Sequence, residues 1–339
     1  MNRRDQDLRP LRGVLVGAGS LGRAFLRFLR DRGGPLGLTG VFTAHHGRLL
    51  DPEGLDPSSA INMLEAEGLG EQGPAELDKF LQAAKPEVLI ECIPQNIRSG
   101  EPALGMLRAA LDGGCHVVTA NKSAVALGYR DLLHRAVKNN VTFRFEATVL
   151  DGLPLFSTIA SLPDLEVRRI RGVLNGTSSL VLESVESGST RARGLARAQA
   201  QGIAEFDTVL DTDGWDAAAK AALLANVWMG GALRVVDVAR TGCEGLKDDV
   251  LKATGANLKH RLVAEVVRYP EGVVRAAVEP VALEPGDPLF GLRGASCGVT
   301  IETTRGFSLT LLQASHGLED ASYGLMQDVV AIARGGQQI

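Results

Sequence analysis

The stretch Gly13-Val-Leu-Val-Gly17-Ala18-Gly19-Ser20-Leu21-Gly22-Arg-Ala-Phe-Leu-Arg-Phe-Leu constrains the fold more than any other part of the chain. It reads as a buried apolar strand, a glycine turn and an amphipathic helix, in that order. Gly17 permits a tight turn, Gly19 lets backbone amides approach a pyrophosphate, and Gly22 allows the helix to pack on the strand. The positive end of that helix then faces the phosphates. The G-x-G-x-x-G spacing is weak alone; a strand before it and a helix after it give it weight. The run from Gly17 through Ala18, Gly19, Ser20 and Leu21 to Gly22 is therefore the expected dinucleotide cradle.

The following residues extend the same alternation. Helices are expected near 58–66, 75–84, 102–111 and 129–138, and strands near 38–43, 87–93, 116–119 and 141–145. This is the pattern of an α/β, Rossmann-type doubly wound parallel sheet. It predicts a dinucleotide-binding domain over 1–147, with 1–10 as a loose leader. The pattern then changes to helices at 154–162, 178–187 and 191–201 and a half-exposed strand at 167–173. Further strands are expected within 262–281 and 299–312, punctuated by Pro270-Glu-Gly and Pro285-Gly-Asp-Pro. A mixed α+β catalytic and dimerisation domain over 148–315 follows, and its open sheet favours a homodimer. A last helix at 320–334, within 316–339, is expected to return to the first domain.

The cofactor's identity is decided after the second strand, where an acid would grip an adenosine ribose. His45, His46 and Arg48 stand there instead. They suit a ribose phosphate, which points to NADP, with NAD as the alternative; the same three residues also read as a solvated loop. Lys122 follows the strand Val117-Val118, at the carboxyl end where open parallel sheets place ligands.

A second informative segment is Asp211-Thr-Asp-Gly-Trp-Asp216-Ala-Ala-Ala-Lys220. Asp216 and Lys220 stand at i and i+4 and share one helix face. An ammonium held near several carboxylates can give and take protons, and spare carboxylates can bind a small polar substrate. Alone, such a pair reads as a weak surface bridge on a capped helix. Glu205, Asp207, Asp211, Asp213 and Asp216 crowd this one segment, however, and it runs into a small-residue helix suited to close packing.

Composition narrows the function classes. A length of 339 residues suffices for two domains, and a net charge of -4 gives no reason to expect nucleic acid. Aromatics at 4% argue against base-stacking platforms. Cys92, Cys115, Cys243 and Cys297 lack metal-ligand spacing, so reduced cytoplasmic thiols are expected. Residues 1–10 lack an apolar signal core, and no apolar run is long enough to span a bilayer.

Taken in order, Ala120-Asn121-Lys122, Glu146-Ala-Thr-Val149, Gly172-Val-Leu-Asn175-Gly176-Thr177-Ser178, Gly202-Ile-Ala-Glu205 and the Asp211–Lys220 segment resemble the homoserine dehydrogenases over nearly the whole chain. The chain is similar to the short form that stops without a regulatory domain. The resemblance implies reversible, NAD(P)-linked interconversion of L-homoserine and L-aspartate 4-semialdehyde, toward threonine and methionine. It implies that Lys220 is the catalytic lysine, Lys122 a second active-site lysine that also meets the cofactor, and Glu205 the partner of the substrate amino group. Asp211, Asp216 and the turn Asn175-Gly176-Thr177 would complete the pocket, and Ile93 would flank the cofactor. A monovalent cation, Na+ or K+, would be held by backbone carbonyls of Glu146, Val149, Asp151 and Leu153. Three positions depart from the family: Leu150-Asp151 in the hinge, Ile93-Pro94 in place of a hydroxyl residue, and Ala314-Ser-His316 in place of a glycine-rich turn. Those departures leave two other readings: a paralogous dehydrogenase of another small amino alcohol or semialdehyde, and a non-catalytic dinucleotide sensor. The retained Lys122, Glu205, Asp216 and Lys220 argue against the sensor.

Overall fold

The computed structural model describes residues 8–204, 208–253, 255, 257–314, 317–336 and 338. The chain divides into two compact units, Met1–Ala160 with Leu318–Ile339, and Ser161–Gly317.

Strands β1 (Leu11–Val16), β2 (Leu36–Phe42), β3 (Arg48–Leu50), β4 (Val88–Glu91), β5 (His116–Thr119) and β6 (Phe143–Arg144) build the first unit's sheet. Their order is β3-β2-β1-β4-β5-β6. All run parallel except the edge strand β3, which pairs antiparallel with β2. Val14, Leu15, Val16, Val88, Leu89 and Ile90 are buried, the continuous apolar run of strands covered on both faces. The strand order reverses between β1 and β4, so a crevice for ligands is expected at their carboxyl ends.

The connecting helices are α1 (Ser20–Arg32), α2 (Pro57–Ala66), α3 (Leu77–Ala84), α4 (Ala103–Asp112), α5 (Lys122–Lys138) and α6 (Leu155–Ala160). Helix α5 begins seven residues before the sequence pattern suggests. Asn121 caps it by accepting the Ala124 N–H at 3.1 Å, and the small residues that follow propagate it. Gly128, which breaks the helical signal, is a packing site: a Cβ there would lie 2.2 Å from Leu104 Cδ1 of α4. Within the expected leader, residues 1–7 lie outside the described residues. Arg9 is docked, its guanidinium fork on the Glu87 carboxylate with Nη1 at 3.1 Å.

The division between units falls after Ala160, not after residue 147. Glu146 accounts for it by accepting the Phe156 and Ser157 N–H groups at 2.6 and 3.0 Å, which ties the start of α6 to the first unit.

The second unit contains β7 (Val167–Val173), α7 (Gly176–Glu186), α8 (Arg191–Ala200), α9 (Val209–Thr212), α10 (Trp215–Trp228), β8 (Ala239–Arg240), α11 (Asp248–Lys252), β9 (Lys259–Arg268), β10 (Val274–Leu283), β11 (Cys297–Thr303) and β12 (Ser308–Gln313). The sheet order is β12-β11-β7-β9-β10-β8, antiparallel throughout except that β8 runs parallel to β10. Helix α10 lies against β9 and β10. Its alanines let it sit close, and every residue from Asp216 to Asn226 is buried.

The final helix, α12 (Leu318–Ala333), belongs to the first unit. Its Leu325, Met326, Val329 and Ile332 join the core that holds Phe25 and Leu26 of α1. Close approach is allowed by Gly324, where a Cβ would stand 2.2 Å from the Asp151 carbonyl oxygen. Asp328 on α12 is fully buried and accepts from Arg144 Nε at 2.7 Å and from the Glu146 N–H at 2.8 Å. No helix among the described residues is long and apolar enough to cross a membrane. All four cysteines are buried and none forms a disulfide among those residues.

Candidate active site

In the first unit the glycine turn has the geometry its sequence anticipates. Gly17 adopts φ +95°, and a Cβ on it would press to 2.7 Å from the Cys92 carbonyl and 2.9 Å from Ile93 Cγ2. A Cβ on Gly22 would meet the Gly17 carbonyl oxygen at 2.1 Å, so this glycine sets how closely α1 crosses the turn. Gly19 differs, because nothing lies within 4 Å of its hypothetical Cβ. It is the N-cap of α1 and makes no side-chain cap bond, which leaves the amide end of the helix facing open space. Arg23 braces the turn from behind, donating to Ala18 O at 3.1 Å and Leu64 O at 2.9 Å. Ile93 thus lies beside the turn.

After β2 the loop folds on itself. The Thr43 hydroxyl donates to Gly47 O at 2.7 Å and accepts the His46 N–H at 2.8 Å. His45 and His46 are exposed, with no carboxylate between Phe42 and Arg48. Arg48 is committed elsewhere: its Nε donates to Gly73 O at 2.8 Å and its guanidinium pairs with Glu71. Lys122, half-buried, is the first residue of α5, at the same carboxyl edge of the parallel sheet.

The second unit gathers the acidic segment into a buried cluster. Asn175 caps α7 through the Ser178 N–H at 2.8 Å. The Asn175 Nδ2 donates to Asp211 Oδ1 at 2.8 Å and Asp216 Oδ2 at 3.2 Å, so one amide bridges two carboxylates. Lys220 Nζ lies 3.2 Å from Asp216 Oδ2 and donates to Leu174 O at 2.6 Å. Thr177 bonds to Asp211 through its hydroxyl. Burial raises the Asp211 carboxyl above its ordinary range, and the neighbouring Asp216 charge adds to the rise. Lys220 is only 4% exposed, far from the solvated surface bridge that i,i+4 spacing alone suggests. Gly176 sits where a Cβ would approach Ala295 O at 2.9 Å, which fits glycine in that turn.

Asn175, Thr177, Asp211, Asp216 and Lys220 are therefore brought together, while Glu205, Asp207 and His316 lie outside the described residues. Two contributors escaped the sequence pattern. The Leu174 carbonyl has no side-chain signature. Glu91 had one, a charged residue closing the apolar strand Val88-Leu89-Ile90.

Leu153 O accepts the Leu155 N–H at 2.7 Å, and Asp151 O is faced at close range by Gly324 of α12. The Glu146 carboxylate is engaged in capping α6. No group of three or more His, Cys, Asp or Glu side chains suited to a metal occurs among the described residues.

Comparison with known proteins gives two family profiles: "Homoserine dehydrogenase, NAD binding domain" over residues 17–146 and "Homoserine dehydrogenase" over 154–330. The chain is 31% identical over 334 residues to the NAD(+)-dependent homoserine dehydrogenase of Pseudomonas canavaninivorans, covering 94% of this chain and 95% of the relative. It is 30% identical over 325 residues to the homoserine dehydrogenase of Sulfurisphaera tokodaii, covering 95% and 98%. The crystal structure of homoserine dehydrogenase from Thermoplasma acidophilum superposes with a TM-score of 0.82 at 27% identity, covering 96% of this chain and all of that one.

Proposed function

The chain belongs to the homoserine dehydrogenase family and is a nicotinamide-dinucleotide oxidoreductase, and on that premise we propose that it interconverts L-homoserine and L-aspartate 4-semialdehyde, toward threonine and methionine. The observation that carries the reading is the buried Asn175, Asp211, Asp216 and Lys220 cluster. Two carboxylates outnumber one ammonium there, so the pocket favours a small cationic amine. The uncharged form of Lys220 takes the alcohol proton in oxidation, and its ammonium returns a proton to the aldehyde oxygen in reduction. A dinucleotide held at the turn from Gly17 to Gly22 would supply or take up the hydride. Glu205 binds the substrate amino group, Lys122 acts as the second lysine, and Asp211 with the Asn175–Thr177 turn frames the pocket.

NADP is the finer proposal for the cofactor, supported by exposed His46 and by the missing ribose acid. Arg48 is held by Glu71, and exposed charges contribute only about 0.2–1 kcal/mol, so the preference over NAD should be about 1.4- to fivefold. The proposal includes a homodimer and a reducing, cytoplasmic setting that keeps the four buried thiols reduced.

The test is the initial rate of NADP and NAD reduction with L-homoserine and a panel of other amino alcohols. Turnover of L-homoserine above the rest of the panel is expected. Turnover confined to another amino alcohol removes the substrate assignment and turns attention to Ile93, Asp151 and His316. Equal or reversed kcat/KM for the two dinucleotides removes the NADP preference.

A further inference from the structure

Glu91 closes β4 at the carboxyl edge of the first sheet, in register with Val16 of β1 and Thr119 of β5, and its side chain is 0% exposed. Three neutral donors converge on its carboxylate. The Ile93 N–H and Asn121 Nδ2 donate to Oε1 at 2.8 and 3.4 Å, and the Thr119 hydroxyl donates to Oε2. The network continues, because Thr119 Oγ accepts the Asn121 N–H at 2.9 Å and Asn121 Oδ1 accepts the Ala124 N–H at 3.1 Å. Among the described residues no ion pair offsets the burial of this carboxylate, which pushes its pKa up to about 7. A buried ion with only neutral partners is costly, and the donors it gathers come from two segments. These are Ile93, two residues beyond Glu91 and packed beneath Gly17, and the run from Thr119 to Asn121, which ends β5 and caps the helix that opens with Lys122.

We infer that Glu91 is a positioning residue that fixes Ile93 beneath the glycine turn and Asn121 ahead of Lys122, holding the dinucleotide floor and the lysine-bearing helix start in one geometry. The inference rests on the dehydrogenase reading above. Only a carboxylate satisfies every donor. A carboxamide of the same size must turn its NH2 either toward Ile93 N–H and Asn121 Nδ2, both donors, or toward Thr119, whose hydroxyl proton then loses its acceptor.

The experiment compares Glu91→Gln, Thr119→Val and Thr119→Ser in the full chain. It reads Kd for NADPH and NADH by nicotinamide fluorescence, kcat with L-homoserine at saturating dinucleotide, and Tm. Loss of a hydrogen bond to a charged group should raise Kd and lower kcat, each by about tenfold, in Glu91→Gln and Thr119→Val. Thr119→Ser restores the hydroxyl and should stay within about twofold of the parent chain. Equal behaviour of the serine and valine variants, or parental Kd and kcat per folded molecule in Glu91→Gln, overturns the inference. If Glu91→Gln does not fold, the Thr119 pair decides. If the parent chain leaves L-homoserine untouched, the functional reading alone fails, and the Kd ratios still decide the place of Glu91.

Discussion

Among single residues, the three glycines of the turn look alike in sequence and differ in what surrounds them. Gly19 has φ -73° and an open Cβ direction, so Gly19→Ala should fold with an unchanged Tm and yet weaken dinucleotide binding by intruding on the ligand's space. Gly22→Ala drives a methyl into the Gly17 carbonyl, and its Tm should fall by about 4 °C or more. Thermal melts of the two variants beside fluorescence titration with NADPH check the contrast, and equal Tm losses would refute it. Lys220→Ala, in the other unit, should leave dinucleotide Kd unchanged while kcat drops by about two orders of magnitude. Single-turnover kinetics with L-homoserine measure this, and an unaltered rate would remove Lys220 from the chemistry. The removed ammonium also takes away a charge that holds the Asp211 carboxyl down, so that carboxyl should rise further above its ordinary range.

Elements turn such residues into geometry, and the sheet edge shows the associated cost. Glu91 is neutral at low pH in the folded state and charged only above about 7, whereas an unfolded glutamate ionises near 4.3. Between those values the folded chain binds the extra proton, so this group's contribution to stability declines as pH rises through that window. Glu91→Gln should therefore lose less Tm than the parent chain between pH 5 and pH 8, a difference read directly from paired melts; parallel curves would refute it. Elements with a strong period or motif were legible in the sequence: β1, the glycine turn, α1, β4 and the Asp216–Lys220 face of α10. The start of α5 was not, because Gly128 imitates a break that only the neighbouring Leu104 explains. The strand-pairing order was out of reach for the same reason, since nothing local to β7 states that β9 and β11 flank it. Within the candidate site, side chains announced themselves by type and spacing. The backbone acceptor Leu174 O could not, and neither could the pinning of Arg48 by Glu71 from another segment.

At the scale of the whole molecule, a homodimer predicts a solution mass twice the 35.8 kDa of one chain, measured by sedimentation at micromolar concentration; a species of single-chain mass would remove it. The first unit is also discontinuous in sequence. Truncation after Gly317 strips Leu325, Met326, Val329 and Ile332 from its core, at about 1.5–3 kcal/mol for each side chain. The total rivals the whole net stability of a domain, about 5–15 kcal/mol, so the truncated chain should fail to bind NADPH in a fluorescence titration. Binding at the parental Kd would show that α12 is dispensable. The same discontinuity governs how the protein is born on the ribosome. The nucleotide-binding half is translated first, yet its core stays open until Ala333 has emerged, roughly 10–35 s after Ala160 at about 5–20 residues per second. For that interval Phe25 and Leu26 have no α12 to cover them, and the continuous second unit has time to fold first. The half of the chain that begins synthesis is then the half that finishes folding, and a chaperone bound to the nascent chain would find its apolar target near the amino terminus.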